Sequence, residues 1–279
     1  MNSEFLAIGF GLASAIVWGA GDFCGGLASK RNNVYSVILV SQVVGALMML
    51  ALAMWLEPTL PGPLYWLLGG LAGVTGMLGL VAFYTGLAGG RMGLVAPLSA
   101  VITAILSVVA GIAMEGWPAT LQLVGFGAAL LAMWLLAWNG NVLLASRELG
   151  LAAAAGLGFA LFFILIDRVS DQAVFWPLLA ARLASVSCLL IFMMTRRQEM
   201  LPVTVQLPLI VVTGILDVSG NALFALAARM GRLDIAAMFS SLYPASTVIL
   251  AWVILNERLL KRQWLGVLAA LTALVFMAW

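Results

Sequence analysis

The segment 69–138 recurs at 210–279 without a gap, at a constant offset of 141 residues. Gly73, Gly79, Phe83, Gly90, Arg91, Ser99, Ala104, Gln122, Gly125 and Trp138 return as Gly214, Gly220, Phe224, Gly231, Arg232, Ser240, Ala245, Gln263, Gly266 and Trp279. The copies share 17 identities, whereas a composition this rich in Ala, Leu and Gly gives about seven by chance. A duplicated chain folds as two related halves. How those halves sit in a membrane depends on how many spans each contains.

Lipid must be the solvent. Of 279 residues, 64% are hydrophobic and 9% charged, against about 25% charged in a soluble domain. A helix needs about 20 apolar residues to cross a bilayer. Ten segments qualify: 4–28, 34–56, 64–89, 92–114, 118–138, 149–170, 173–195, 205–229, 233–256 and 261–279. Breaks such as Lys30-Arg31-Asn32-Asn33, Glu57 to Pro63, Glu115 to Pro118 and Arg196 to Glu199 separate them. The first run lacks a basic leader and is long enough to span, so it is expected to remain as the first helix.

The expected fold is therefore an all-α integral membrane protein of ten transmembrane helices. Residues 1–138 form a first five-helix repeat, 139–148 a connecting loop, and 149–279 a second repeat. Five is odd, so the two repeats insert with opposite orientation. The expected arrangement is an inverted repeat about an axis in the membrane plane.

Basic residues suggest the orientation. Loops on the N-terminal side hold Arg168, Arg229 and Arg232, whereas those on the other side hold Lys30, Arg31, Arg91, Arg147, Arg196, Arg197, Arg258, Lys261 and Arg262. Nine against three makes the second side cytoplasmic and places both termini outside. The net charge of +2 and the lack of a basic cluster argue against nucleic acid as a partner.

Composition also limits the chemistry. Histidine is absent, which removes the commonest metal ligand and the side chain that titrates nearest neutrality. Cys24 and Cys188 fall inside apolar runs and read as unpaired buried thiols. No phosphate-binding Gly-x-x-x-x-Gly-Lys-[Ser/Thr] run is present. No cofactor or metal is expected, and a membrane enzyme is disfavoured. Any proton chemistry must use carboxylates.

Trp18-Gly19-Ala20-Gly21-Asp22-Phe23 resembles the Trp-Gly-x-x-x-Phe element of EamA-type members of the drug/metabolite transporter superfamily. Pro244, followed thirteen residues later by Glu257-Arg258-Leu259 and then Gln263 and Gly266, is similar to that family's ninth-helix ending, with Asn256 in place of its usual glycine. The first half carries a weaker copy in Glu115-Gly116, Gln122 and Gly125, with Ile102 where the proline would stand and Pro97 nearby. The resemblance spans the chain. It implies movement of small metabolites, amino acids or organic cations across a bacterial inner membrane. Many members have both termini inside, opposite to the basic-residue count here.

An ionisable group within a span costs about 2.5–3.5 kcal/mol on insertion scales, so it faces a cavity or a partner. Asp22, Arg182 and Asp217 qualify, and their repeat mates are Phe163, Ser41 and Gly76. A group present in only one copy is harder to assign to the common scaffold. Trp18 and Asp22 share a helix face and form a plausible cation receptor. Asp217 and Asn221 are one turn apart, with Ser219 between them. Gln42, Tyr84, Ser240, Ser241 and Tyr243 could complete a polar lining. Asp22 and Asp217 are the candidate proton-coupling groups. The competing reading for Arg182 is structural pairing with Asp217 or Asp22. Pro244 could act as a gate hinge or as a static kink near Ser240. Asp167, Arg168, Asp171, Glu115 and Glu257 are expected at the interface, as are Trp55, Trp117, Trp138 and Trp279.

The leading expectation is a secondary transporter for a small organic metabolite or organic cation, working by alternating access. A carrier of amino acids or other carboxylates that uses Arg182 is the alternative. A non-transporting membrane scaffold or subunit is the third reading. Substrate, ion coupling and oligomeric state are not fixed by the sequence.

Overall fold

The computed structural model describes residues 2–88, 92–137, 146–198, 201–202, 204–255, 262, 264–266, 268–269, 272 and 276. The linker core and the motif residues Gly90, Arg91, Trp138, Glu257, Arg258, Gln263 and Trp279 lie outside this set. The helices are α1 (Asn2–Ser29), α2 (Val34–Leu56), α3 (Pro63–Ala88), α4 (Met92–Glu115), α5 (Thr120–Ala137), α6 (Ser146–Ser170), α7 (Phe175–Thr195), α8 (Leu207–Met230), α9 (Leu233–Ser240) and α10 (Tyr243–Leu255). A single 3-10 turn, Thr204–Gln206, precedes α8. Among the described residues there is no strand. Seven helices (α1 to α4 and α6 to α8) are long and apolar enough to cross a bilayer, and α5 is apolar but shorter.

One expected span is broken. The ninth segment, 233–256, forms two helices separated at Ser241 and Leu242. Pro244 has no N–H to return to the Ser240 carbonyl, so the helix cannot run through. Leu242 instead donates to the Phe239 carbonyl at 3.1 Å, and Ala245 to the Leu242 carbonyl at 2.9 Å. Pro244 then sits in the first turn of α10, where a missing donor is tolerated. The proline thus marks a break between two helices and not a bend within one. Of the expected tenth span, Arg262, 264–266, 268–269, Thr272 and Phe276 are helical.

Packing between the halves is reciprocal. Under the 141-residue offset α1 corresponds to α6, α2 to α7, α3 to α8, and α4 to α9 with α10. The two heaviest pairings, α1 on α8 and α6 on α3, are counterparts of one another. So are α3 on α7 and α8 on α2. The helices α2 and α7, counterparts themselves, pack on each other. Each half thus builds its interior mainly from the other half, so the two are not separate bundles.

Small residues permit this closeness, because lipid gives helices no hydrophobic drive to associate and contact must do the work. A Cβ on Gly73 would collide with the backbone carbonyl of Ala181, so α3 meets α7 backbone to backbone there. A Cβ on Gly158 would lie 2.7 Å from the Cα of Gly79, which brings α6 equally close to α3.

Candidate functional site

A cavity lies between the two halves. It is lined by Trp18, Asp22, Gln42, Gly73, Gly76, Met77, Leu80, Thr103, Phe159, Phe162, Phe163, Ala181, Arg182, Ser185, Asp217, Asn221 and Tyr243. These residues fall about halfway along their helices, and Tyr243 stands at the α9–α10 break. A cavity in the middle of a bilayer is lined by whatever polar groups the spans carry.

Two walls face each other, and the repeat relates them position by position. Trp18 corresponds to Phe159, Asp22 to Phe163, Asp217 to Gly76 and Asn221 to Leu80. In each pair α1 or α8 supplies the member with a polar or ionisable group, and α6 or α3 the apolar one. The duplicated backbone therefore presents one polar wall, extended by Gln42, Arg182 and Ser185, and one apolar wall.

The polar wall centres on Arg182. Its Nη1 lies 2.9 Å from Asp217 Oδ2 and donates a short hydrogen bond to Gln42 Oε1. Ser185 Oγ donates to the same Gln42 oxygen at 3.0 Å. Arg182 is only 6% exposed. Its Nη2 is buried and has no hydrogen-bond partner among the described residues. A guanidinium carries five donors in a fixed fork, and burying one unmatched is costly. One edge of Arg182 is thus neutralised by the fold and another is left unanswered. Asp22 lines the same cavity, half-buried, and among the described residues makes no hydrogen bond or ion pair.

Trp18 is more constrained than its spacing from Asp22 suggests. Its indole N–H donates to the Asp217 carbonyl at 3.1 Å. Its ring stacks on Phe163, with centroids 5.4 Å apart and 8° between planes. Phe224 stacks on Phe163 at 4.1 Å. The indole is held on aromatic neighbours, which leaves less of it free for a cation.

The cavity gathers Trp18, Asp22, Gln42, Arg182, Asp217, Asn221 and Tyr243. Tyr84 and Ser240 stand outside its lining. The Tyr84 ring is 1% exposed and packs over Gly25 of α1. Ser240 is fully buried, with its hydroxyl directed to the Gly11 carbonyl at 3.4 Å. Ser241 is likewise buried and does not line the cavity. The Tyr243 hydroxyl lies 2.9 Å from Ser99 Oγ and ties the α9–α10 break to α4. Sequence reasoning missed Thr103, Ser185 and the apolar wall. The positions on that wall opposite Trp18, Asp22 and Asn221 were available as repeat mates.

Asp167 is half-buried, whereas Arg168 and Asp171 are exposed. Trp55 and Trp117 are exposed near helix ends. Cys24 and Cys188 are free thiols. Among the described residues no group of three His, Cys, Asp or Glu side chains is placed to hold a metal.

A duplicated helical membrane protein with a cavity between its halves has the architecture of a carrier. The chain belongs to the EamA-like transporter family, whose pattern matches residues 5–138 and again 146–279. No curated protein matches it. Among solved structures, one titled only "Crystal structure of protein" is similar over 95% of this chain and 98% of its own, with a TM-score of 0.77 and 14% identity. That likeness concerns the fold.

Proposed function

We propose that this protein is a secondary transporter that carries a small organic metabolite across the membrane by alternating access between two inverted repeats. Reciprocal packing supports the inverted arrangement. A two-fold relation pairs each helix with its counterpart's partner, and an odd number of spans per repeat turns that axis into the membrane plane. The mid-depth cavity between the repeats supports alternating access and argues against a rigid scaffold. The basic-residue count favours both termini outside, and the family resemblance favours a bacterial inner membrane.

One observation carries the substrate reading: Arg182 Nη2 is buried at the cavity without a partner among the described residues. It suits a carboxylate or another strong acceptor on the cargo. Asp22, also without a hydrogen bond or ion pair among the described residues, suits an ammonium or a proton. The lining carries Asp22, Asp217 and Arg182, a formal charge of −1 from two acids and one base. A zwitterion answers both free groups at once, its carboxylate facing Arg182 and its ammonium facing Asp22. A carboxylate-bearing metabolite such as an amino acid therefore fits better than a bare organic cation, whose case rested on Trp18 with Asp22 and leaves Arg182 unanswered. Asp22 and Asp217 remain the coupling candidates, and Pro244 the hinge candidate at the helix break.

A ligand-stabilisation screen on purified protein tests this reading. Amino acids and quaternary amines are compared by melting temperature. A zwitterionic hit lost in both Asp22→Asn and Arg182→Gln supports it. A quaternary amine hit that ignores Arg182→Gln sinks it.

A further inference from the structure

Beyond the cavity, hydrogen bonds also bridge the two repeats at helix ends on both faces. On the face where α2 and α4 end, two glutamates of the first repeat reach helix starts of the second. Glu57, just after α2, accepts from the first N–H groups of α7: Val174 to Oε1 at 2.7 Å and Phe175 to Oε2 at 3.0 Å. Its own carbonyl accepts from the Trp176 indole at 2.7 Å. Glu115, the last residue of α4, accepts from the Leu233 N–H that opens α9 at 3.1 Å.

Arg232 reinforces the second bridge. Its guanidinium donates to the carbonyl of Gly116 at 2.6 Å and to the fully buried Asp234 at 2.8 Å. It also lies 3.8 Å from the Glu115 carboxylate. Gly116 adopts φ 85°, a left-handed conformation open to glycine, and so ends α4 at that point.

The opposite face carries the counterpart of the Glu57 bridge, with neutral groups. Gln198 corresponds to Glu57 and Asn33 to Val174. Asn33 Nδ2 donates to Gln198 Oε1 at 3.0 Å, while Asn33 Oδ1 caps α2 through the Tyr35 N–H at 3.0 Å. The repeat-related residue pair is thus bridged by a carboxylate accepting from backbone N–H groups at one face, and by two neutral side-chain amides at the other. Charge-assisted bonds to helix starts are roughly twice as strong as neutral ones.

We infer that Glu57 and Glu115 form a closure latch on one face of the transporter, and that this face opens only when both carboxylates leave the starts of α7 and α9. Asn33 and Gln198 form the weaker clasp of the opposite face. The cavity sits between them, so releasing one while the other holds exposes it to one side. The inference rests on the alternating-access reading but needs no knowledge of the cargo.

Cysteine accessibility tests it. Ser185→Cys provides a cavity reporter of nearly unchanged size, in a chain carrying Cys24→Ser and Cys188→Ser. A membrane-impermeant maleimide is applied to right-side-out and to inside-out vesicles, so each face is probed separately. The latch predicts that Glu57→Gln with Glu115→Gln speeds labelling from the Glu57 face by about tenfold. Asn33→Ala speeds labelling from the opposite face only. Size-exclusion profiles matching the parent confirm that both variants are folded. If the two variants speed labelling at the same face, or at both faces alike, the glutamates merely loosen the bundle and the latch is wrong. If Asn33→Ala opens its own face while the glutamate pair changes neither, the latch fails and alternating access stands.

Discussion

Arg182 Nη1 lies 2.9 Å from Asp217 Oδ2, joining α7 to α8 at the cavity wall, while Nη2 of the same guanidinium has no partner among the described residues. The paired edge closes the helix contact, and the proposed transport role assigns the other edge to the cargo.

Removing one member of this pair should cost more than removing both. Asp217→Asn leaves a buried guanidinium without its counter-charge, a loss of roughly 3 kcal/mol for a buried pair. Asp217 keeps some exposure, so this is the upper part of the expected range. Arg182→Met combined with Asp217→Leu should melt closer to the parent than either single change. Thermal unfolding in detergent measures all four chains, and additive losses in the double variant would refute the pairing.

Asp22 should behave differently. It contributes no ion pair among the described residues, so Asp22→Asn removes charge without breaking a contact. The melting temperature should shift by no more than about 0.5 kcal/mol in equivalent stability. Any dependence of transport on a pH gradient should vanish. A pH-driven flux that survives in Asp22→Asn would move the coupling role elsewhere.

Glu57→Ala removes the acceptor for the opening N–H groups of α7. Loss of a helix cap costs about 0.5–2 kcal/mol, and the Glu57 site caps a helix of the other repeat. The destabilisation should exceed that of Asp171→Ala, an exposed acid between α6 and α7. Parallel melts of the two variants give the comparison.

Two glycines should respond in opposite directions. Gly73→Ala drives a methyl group into the Ala181 carbonyl and should abolish folded, monodisperse protein. Gly127 on α5 has no atom near its missing Cβ. Gly127→Ala should therefore be neutral, or stabilising by about 0.5–1 kcal/mol through helix propensity. Yield and melting temperature after purification distinguish the two.

The all-helical, duplicated character of the fold was legible because a repeat and long apolar runs are properties of the chain alone. Asp22, Arg182 and Asp217 were legible because an ionised group within an apolar run has few places to go. Tyr84 and Ser240 were not. Tyr84 lies on a helix that is apolar all round, so the sequence carries no phase to show which face meets a cavity, and Ser240 ends a helix too short to fix one. Glu57 reads as a loop acid, and its partner is the start of a helix 117 residues away in sequence. Its one advance signal was symmetry: Glu57 and Gln198 are repeat mates, as are Asn33 and Val174. The break before Pro244 followed from the missing N–H, but whether the chain would bend or divide there depended on the surrounding packing.

Counterflow in proteoliposomes tests the central claim most directly. Vesicles are preloaded with the zwitterion retained in the stabilisation screen and diluted into its labelled form. The account predicts transient accumulation of label in the parent protein, and none in Asp22→Asn or Arg182→Gln at equal reconstitution. Binding without counterflow, or counterflow indifferent to both substitutions, would contradict a carrier that works through this cavity.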